Sequence, residues 1–182
     1  MSELRTNKIV PRDGLPLSAS GGGIIQVVSV TKTDAESLAS TSTPQLIPGM
    51  QATITPQSAS NKILVMVSLA AAVASNYAAH YAVLRRDSTD IAVGDAAGSR
   101  NRATISLQDP NFYGSSASYG PGFAAVNHLD SPATTSAVTY GLYHAEADNQ
   151  SNGLYINRSL TDSDNNYYNR VTSSITLMEI CG

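Results

Sequence analysis

The sequence predicts an all-β fold, an antiparallel β-sandwich of the jelly-roll kind, preceded by an extended N-terminal arm. Three observations point there. From residue 24 onward, β-branched and aromatic residues recur in short runs bounded by Gly, Pro, Asn, Asp and Ser. Several runs alternate apolar and polar positions, which is the period of a strand with one packed face. Turn signals return at short intervals, and no segment carries a convincing helical stripe, so about ten strands result.

The arm comes first. Residues 1–23, "MSELRTNKIVPRDGLPLSASGGG", offer only Leu4, Ile9 and Val10 as apolar anchors before Leu15. Pro11, Gly14, Pro16 and the three glycines at 21–23 keep the segment from joining the sandwich, which is expected over residues 24–182. Such an arm is suited to lying extended on another protein, with its apolar side chains as anchors.

The strands follow in order: Ile24 to Lys32, Met50 to Thr55, Lys62 to Val73, His80 to Arg86 and Thr89 to Gly94. Further on come Ala103 to Leu107, Phe123 to Leu129, Ala137 to Ala147, Leu154 to Leu160 and Arg170 to Ile180. In "AVTYGLYHAEA", Val138, Tyr140, Leu142 and His144 share one face, and in "SSITLMEI" Ile175, Leu177 and Glu179 lie opposite Thr176, Met178 and Ile180. "RRDSTDI" reads as a hairpin turning at Asp87 and Ser88. The alanines of "SLAAAVASNYAA" favour helix locally, but the buried run "KILVMV" enters them as a strand and the reading stays strand.

At 182 residues the chain suits one compact domain plus some extra sequence. Only 14% of residues are charged and the net charge is −3, so the surface is built from Ser, Thr, Asn and Ala, and there is no basic footprint for nucleic acid. The N-terminus lacks the apolar run of a signal peptide, and "ILVMVSLAAAVA" falls short of the roughly 20 residues that span a bilayer. The single cysteine, Cys181, excludes an internal disulfide framework and is expected to end the last strand as a small apolar side chain.

Chemistry-bearing patterns are sparse. His80, His128 and His144 fall on separate strands without ligand-pair spacing, and a structural or surface role is expected for each. "DSDNN" at Asp162 to Asn166 matches the start of a calcium loop, but Tyr167 stands where Gly is required and Ser173 where Glu is; a solvated turn is expected. No phosphate loop or nucleophile elbow is present, no metal or cofactor is expected, and the chain is not read as an enzyme. The sequons at Asn149 and Asn157 matter only in a secretory pathway.

Two aromatic clusters stand out as candidate recognition loops. "DPNFYGSSASYGPGF" sets Phe112, Tyr113, Tyr119 and Phe123 among Gly, Ser, Pro and Asn, and "NNYYNR" places Tyr167 and Tyr168 after the acidic turn. Such mixtures make adaptable contact surfaces, and tyrosine faces stack on the apolar side of a sugar.

The arm pattern L-x-[TV]-[ND]-x-I followed by Gly, carried by Leu4, Thr6, Asn7, Ile9 and Gly14, resembles the N-terminal segments of virion appendage proteins of tailed bacteriophages, particularly marine and cyanobacterial ones. "GGGIIQVVSVTKTD", "NKILVMVSL", "LRRDSTDIAVGDAAGSR", "LYINRS" and "VTSSITLMEI" are similar to their C-terminal domains. The resemblance implies a structural virion protein, a homotrimer whose head is similar in layout to the C1q and tumour-necrosis-factor fold, and it brings no catalytic residue. It also implies a short fibre or knob, since only Leu15 to Gly23 stands where long fibres carry a stalk of repeats.

The expected function is a trimeric short fibre or knob, docked to capsid, tail or baseplate by its arm, with its head facing host surface glycan. The alternatives are a capsid head decoration without receptor role, and a free lectin-like carbohydrate-binding module. Trimer contacts of the obligate class bury roughly 2,000 Å² or more; Ala70, Ala71 and Ala72, or Tyr140 and Tyr143, are the small and aromatic residues expected to supply them.

Overall fold

The computed structural model describes residues 23–73, 79–107, 119–147 and 153–182. Leu4, Ile9 and Val10 of the arm, and Phe112 and Tyr113 of the first aromatic cluster, lie outside the described residues. Eleven strands and no helix are found among those described, so none of them forms a helix that could cross a membrane.

The strands are β1 (Ile24–Lys32), β2 (Glu36–Leu38), β3 (Gln45–Ile54), β4 (Lys62–Val73), β5 (His80–Arg86) and β6 (Thr89–Ile91). They continue with β7 (Ile105–Ser106), β8 (Gly122–Asp130), β9 (Val138–Glu146), β10 (Leu154–Ile156) and β11 (Ser173–Ile180). All pairings are antiparallel. The first sheet runs β1-β11-β4-β8, with the short pair β2-β10 continuing the β1 and β11 lanes past Ser68 on the long strand β4. The second runs β3-β9-β5-β6, with β7 also on β5. With the short strands β2, β7 and β10 set aside, the order is first-eighth-third-sixth over second-seventh-fourth-fifth, the winding of a jelly roll.

The alternation read from the sequence is what builds the core. Ile63, Val65, Val67 and Leu69 of β4 face Val138, Tyr140 and Leu142 of the other sheet, with Ile175 and Leu177 of β11 beside them, all buried. Each such side chain stabilises by about 1.5–3 kcal/mol on burial. The hairpin forms as predicted, with Arg86 opposite Thr89 and Asp87 at φ 51° in the turn. In β3 the register shifts between Leu46 and Gln51 around "PG"; Gly49 takes φ +77° there, and the stem of the buried Lys32 packs over it.

Several boundaries move. β3 starts earlier than Met50, β6 stops at Ile91, β7 is only two residues, β10 stops at Ile156, and β11 begins at Ser173. β2 was not expected at all. Ala70, Ala72 and Tyr140 are buried within the chain and cannot supply an intersubunit contact. Ala71 packs against the core, and Tyr143 carries the Arg85 guanidinium on its ring at 4.5 Å.

The strand register defines two ends. Ile24, Ile180, Lys62 and Asp130 lie at one, where the arm joins β1. Lys32, Ser173, Ala71 and Gly122 lie at the other, together with His80 and Glu146 of the second sheet.

Candidate recognition surface

The end opposite the arm is organised by Asn157. This residue follows β10, is fully buried and adopts φ 59°, a left-handed conformation that Asn tolerates better than most residues. Its Nδ2 donates to the carbonyls of Lys32 (2.8 Å) and Asp34 (2.9 Å), and its Oδ1 accepts from Ser173 Oγ (2.6 Å). Its backbone amide donates to Ala70 O, and its carbonyl accepts from Val171 N. Ser173 Oγ in turn accepts from Ala70 N. One residue, by its side chain and its backbone, thus fixes the β1–β2 junction, β4, and both feet of the loop over residues 158–172. It was visible in the sequence only as a sequon, and its burial is incompatible with glycosylation.

The loop is tied again above its feet. Arg158 and Arg170 form a β-bridge, and their guanidiniums both reach Asp162, at 3.3 and 2.6 Å. Arg158 also stacks on Tyr155 at 4.3 Å and donates to Ser37 Oγ. "DSDNN" is therefore a braced turn: Asp162 is bound by arginines, and Asn165 accepts from Tyr167 N and Tyr168 N. No group of three His, Cys, Asp or Glu side chains among the described residues is placed to hold a metal.

The turn carries its two tyrosines to meet a third from far away in sequence. Tyr119, at the entry to β8, stacks on Tyr168 with centroids 5.7 Å apart and planes at 18°, and meets Tyr167 edge-on at 6.3 Å. Tyr119 is 50% and Tyr167 66% exposed. Next to them a groove of about 290 Å³ is lined by Asp162, Ser163, Asp164, Asn165, Tyr168, Asn169 and Arg170. Tyr119 of the first predicted cluster and both tyrosines of the second therefore form one surface, while Phe123 stands apart on β8. The groove's Asn169 and Arg170 were not singled out in the sequence, and nothing but their adjacency to "NNYY" marks them.

Beneath this end lies a buried polar group. His80 on β5 and His144 on β9 both point inward, with Glu146 opposite His80. Burial, with His80 nearby, pushes the His144 imidazole down to about 4, against the pull of Glu36. Burial also lowers the Lys32 ammonium, but hydrogen bonds and charges from Asp34 and Glu36 outweigh it and leave the pKa raised. His80 and His144, which have no ligand-pair spacing in the sequence, thus stand on adjacent strands; His128 stays on β8, half-buried. Cys181 is half-buried just after β11.

The remaining exposed apolar side chains gather elsewhere. On the outer face of the first sheet the register aligns Val27, Met178, Leu64 and Leu129 in one row across four strands. Beside it stand Met66, Phe123 and, at the edge, Ile24. The neighbouring row, Ser29, Thr176, Met66 and Asn127, is uncharged. Every exposed large apolar residue among those described belongs either to this face or to the tyrosine surface. No family model matches the chain, and no curated protein matches it significantly.

Proposed function

We propose that the chain is a structural virion protein of a tailed phage, a trimeric short fibre or knob that docks by its N-terminal arm and turns its tyrosine surface toward the host. The observation that carries this reading is the placement of the two ends. The arm enters at Ile24, whereas Tyr119, Tyr167 and Tyr168 sit at the opposite end. A protein docked through the first end exposes the second.

The outer face of the first sheet supports the oligomeric part. A face bearing a continuous apolar row, with Lys62 at its arm end, is costly in water and has the composition of a permanent interface. Its occupant in this reading is a further copy of the chain, which supplies the same apolar row in return. Val27→Glu with Met66→Glu should convert a trimer into a folded monomer in light scattering; an unaltered mass would remove this face from the assembly.

The docking part is tested on particles. Deletion of residues 1–23 should leave a folded trimer that no longer joins virions, and continued incorporation at normal occupancy would overturn it. Tyr119→Ala with Tyr168→Ala should leave incorporation intact and lower host adsorption. Unchanged adsorption would instead assign the protein to capsid decoration.

A further inference from the structure

We infer that the groove beside Tyr168 is a saccharide site selective for uncharged hexoses over acidic sugars. The inference rests on the tyrosine end being outward-facing, and it names the ligand class that end would take.

The aromatic part comes from Tyr119 and Tyr168. Their near-parallel stack leaves Tyr119 half-exposed, with Tyr167 more exposed beside it. Exposed tyrosine rings present flat apolar faces that match the C–H face of a pyranose, while their hydroxyls stay wet. The polar part lies alongside. Asp164, Asn165, Asn169 and Ser163 line a groove whose 290 Å³ is at the small end of ligand sites, roughly 300–1,000 Å³, so it suits one or two rings rather than a long chain. Carboxylate and amide oxygens accept from sugar hydroxyls, and amide N–H groups donate to them.

The selectivity follows from which charges are already engaged. The groove's cation, Arg170, is held at 2.6 Å by Asp162, and the neighbouring Arg158 is shared among Asp162, Ser37 and the Tyr155 ring. Binding a uronate, a sialate or a phosphate there would break those pairs. Asp164 lines the same groove and has no ion pair among the described residues, so it repels an anion while remaining an acceptor for hydroxyls. The loop is braced before any ligand arrives, which reduces the ordering cost of binding.

The test uses the full-length protein on a printed array of neutral hexose oligosaccharides beside sialylated and uronic-acid-containing ones. Saturation-transfer NMR with the methyl glycoside of the best-bound hexose then locates the contact. Binding to neutral glycans is expected, weakened about tenfold by Tyr119→Ala and by Tyr168→Ala with thermal midpoints lowered by no more than a few degrees. Asp164→Lys should add binding to acidic glycans. Binding to no neutral glycan, a preference for acidic ones, or indifference to both tyrosine changes would overturn the inference. Adsorption lost in the tyrosine double variant without any glycan binding would overturn the sugar assignment alone and leave the proposed function standing. Glycan binding by a protein absent from particles would do the reverse.

Discussion

The two ends of the sandwich handle polar groups in opposite ways. At the arm end they are turned inward and satisfied there. Asp130 accepts from Tyr140 Oη (2.7 Å) and from Arg86 Nη1 (2.9 and 3.0 Å), tying β8 to β9 and β5 across the two sheets. Glu179 is fully buried, and its oxygens accept from Gln57 N, Asn61 Nδ2 and Gln26 Nε2. At the tyrosine end, a buried base of Asn157 and Ser173 supports a loop whose rings and carboxylates face water. A closed end suits attachment, and an end with a rigid base and outward groups suits recognition.

The sharpest way to break that contrast is to remove the base. Asn157→Ala leaves the carbonyls of Lys32 and Asp34 without their donor and puts a less tolerant residue at φ 59°. A loss of about 4 kcal/mol is expected in denaturant unfolding, from buried unsatisfied groups and backbone strain together. A loss below about 1 kcal/mol would mean that the loop's feet are held by something other than Asn157.

Acid should loosen the same end next. His144 is held neutral in the fold, down to about 4, whereas an unfolded chain protonates it near 6.5. Its cost is therefore absent above about pH 6.5 and grows as the pH falls to about 4, reaching roughly 3 kcal/mol. Thermal midpoints measured across that window should fall, and His144→Leu should flatten the fall. An unchanged slope in the variant would assign the acid sensitivity to other groups.

How much of this was legible depends on whether the cause was local. β1, β4 and β5 match their sequence bounds because each is a continuous run of strand-forming residues whose signal is local. β2 has three residues and no alternation; it exists because β10 offers it a partner, which no local window contains. Leu160 made the ninth predicted strand look longer than it is, but Asn157 turns the chain into the left-handed region and ends β10 at Ile156. Arg170 left β11 for the same kind of reason, since it pairs with Arg158 to close the loop. The aromatic clusters were each visible as composition. That Tyr119 meets Tyr167 and Tyr168 follows from β8 and β11 flanking β4, a fact of topology. The alanines of β4 and the alternating tyrosine of β9 misled for the converse reason, because smallness and periodicity do not say which side of a sheet is covered.

At the arm end a smaller effect is expected. Tyr140→Phe removes one hydrogen bond, yet Asp130 keeps both contacts from Arg86 and the ring keeps its place in the core. The hydroxyl's own pKa is raised by burial first and by Asp130 second, so the group is neutral and the bond ordinary in kind. A loss of about 1.5 kcal/mol is expected by calorimetry, with no change in glycan binding. A binding defect would show that the two ends are coupled, which the separation drawn above does not allow.

The smallest expected effect is the one that bears most on function. Tyr119→Ala deletes a half-exposed ring whose partners, Tyr167 and Tyr168, stand on a loop already fixed by Asn157 and the Arg158–Asp162–Arg170 bracing. Its stack contributes to stability by about 0.5 kcal/mol. A loss of 2 kcal/mol or more would make the tyrosines part of the fold's support, and the tip would then be a second closed end with nothing left over for a ligand. A loss near 0.5 kcal/mol would leave Tyr119 a ring that the fold does not need, set against a loop that the fold holds in place, and that combination is what a recognition surface requires.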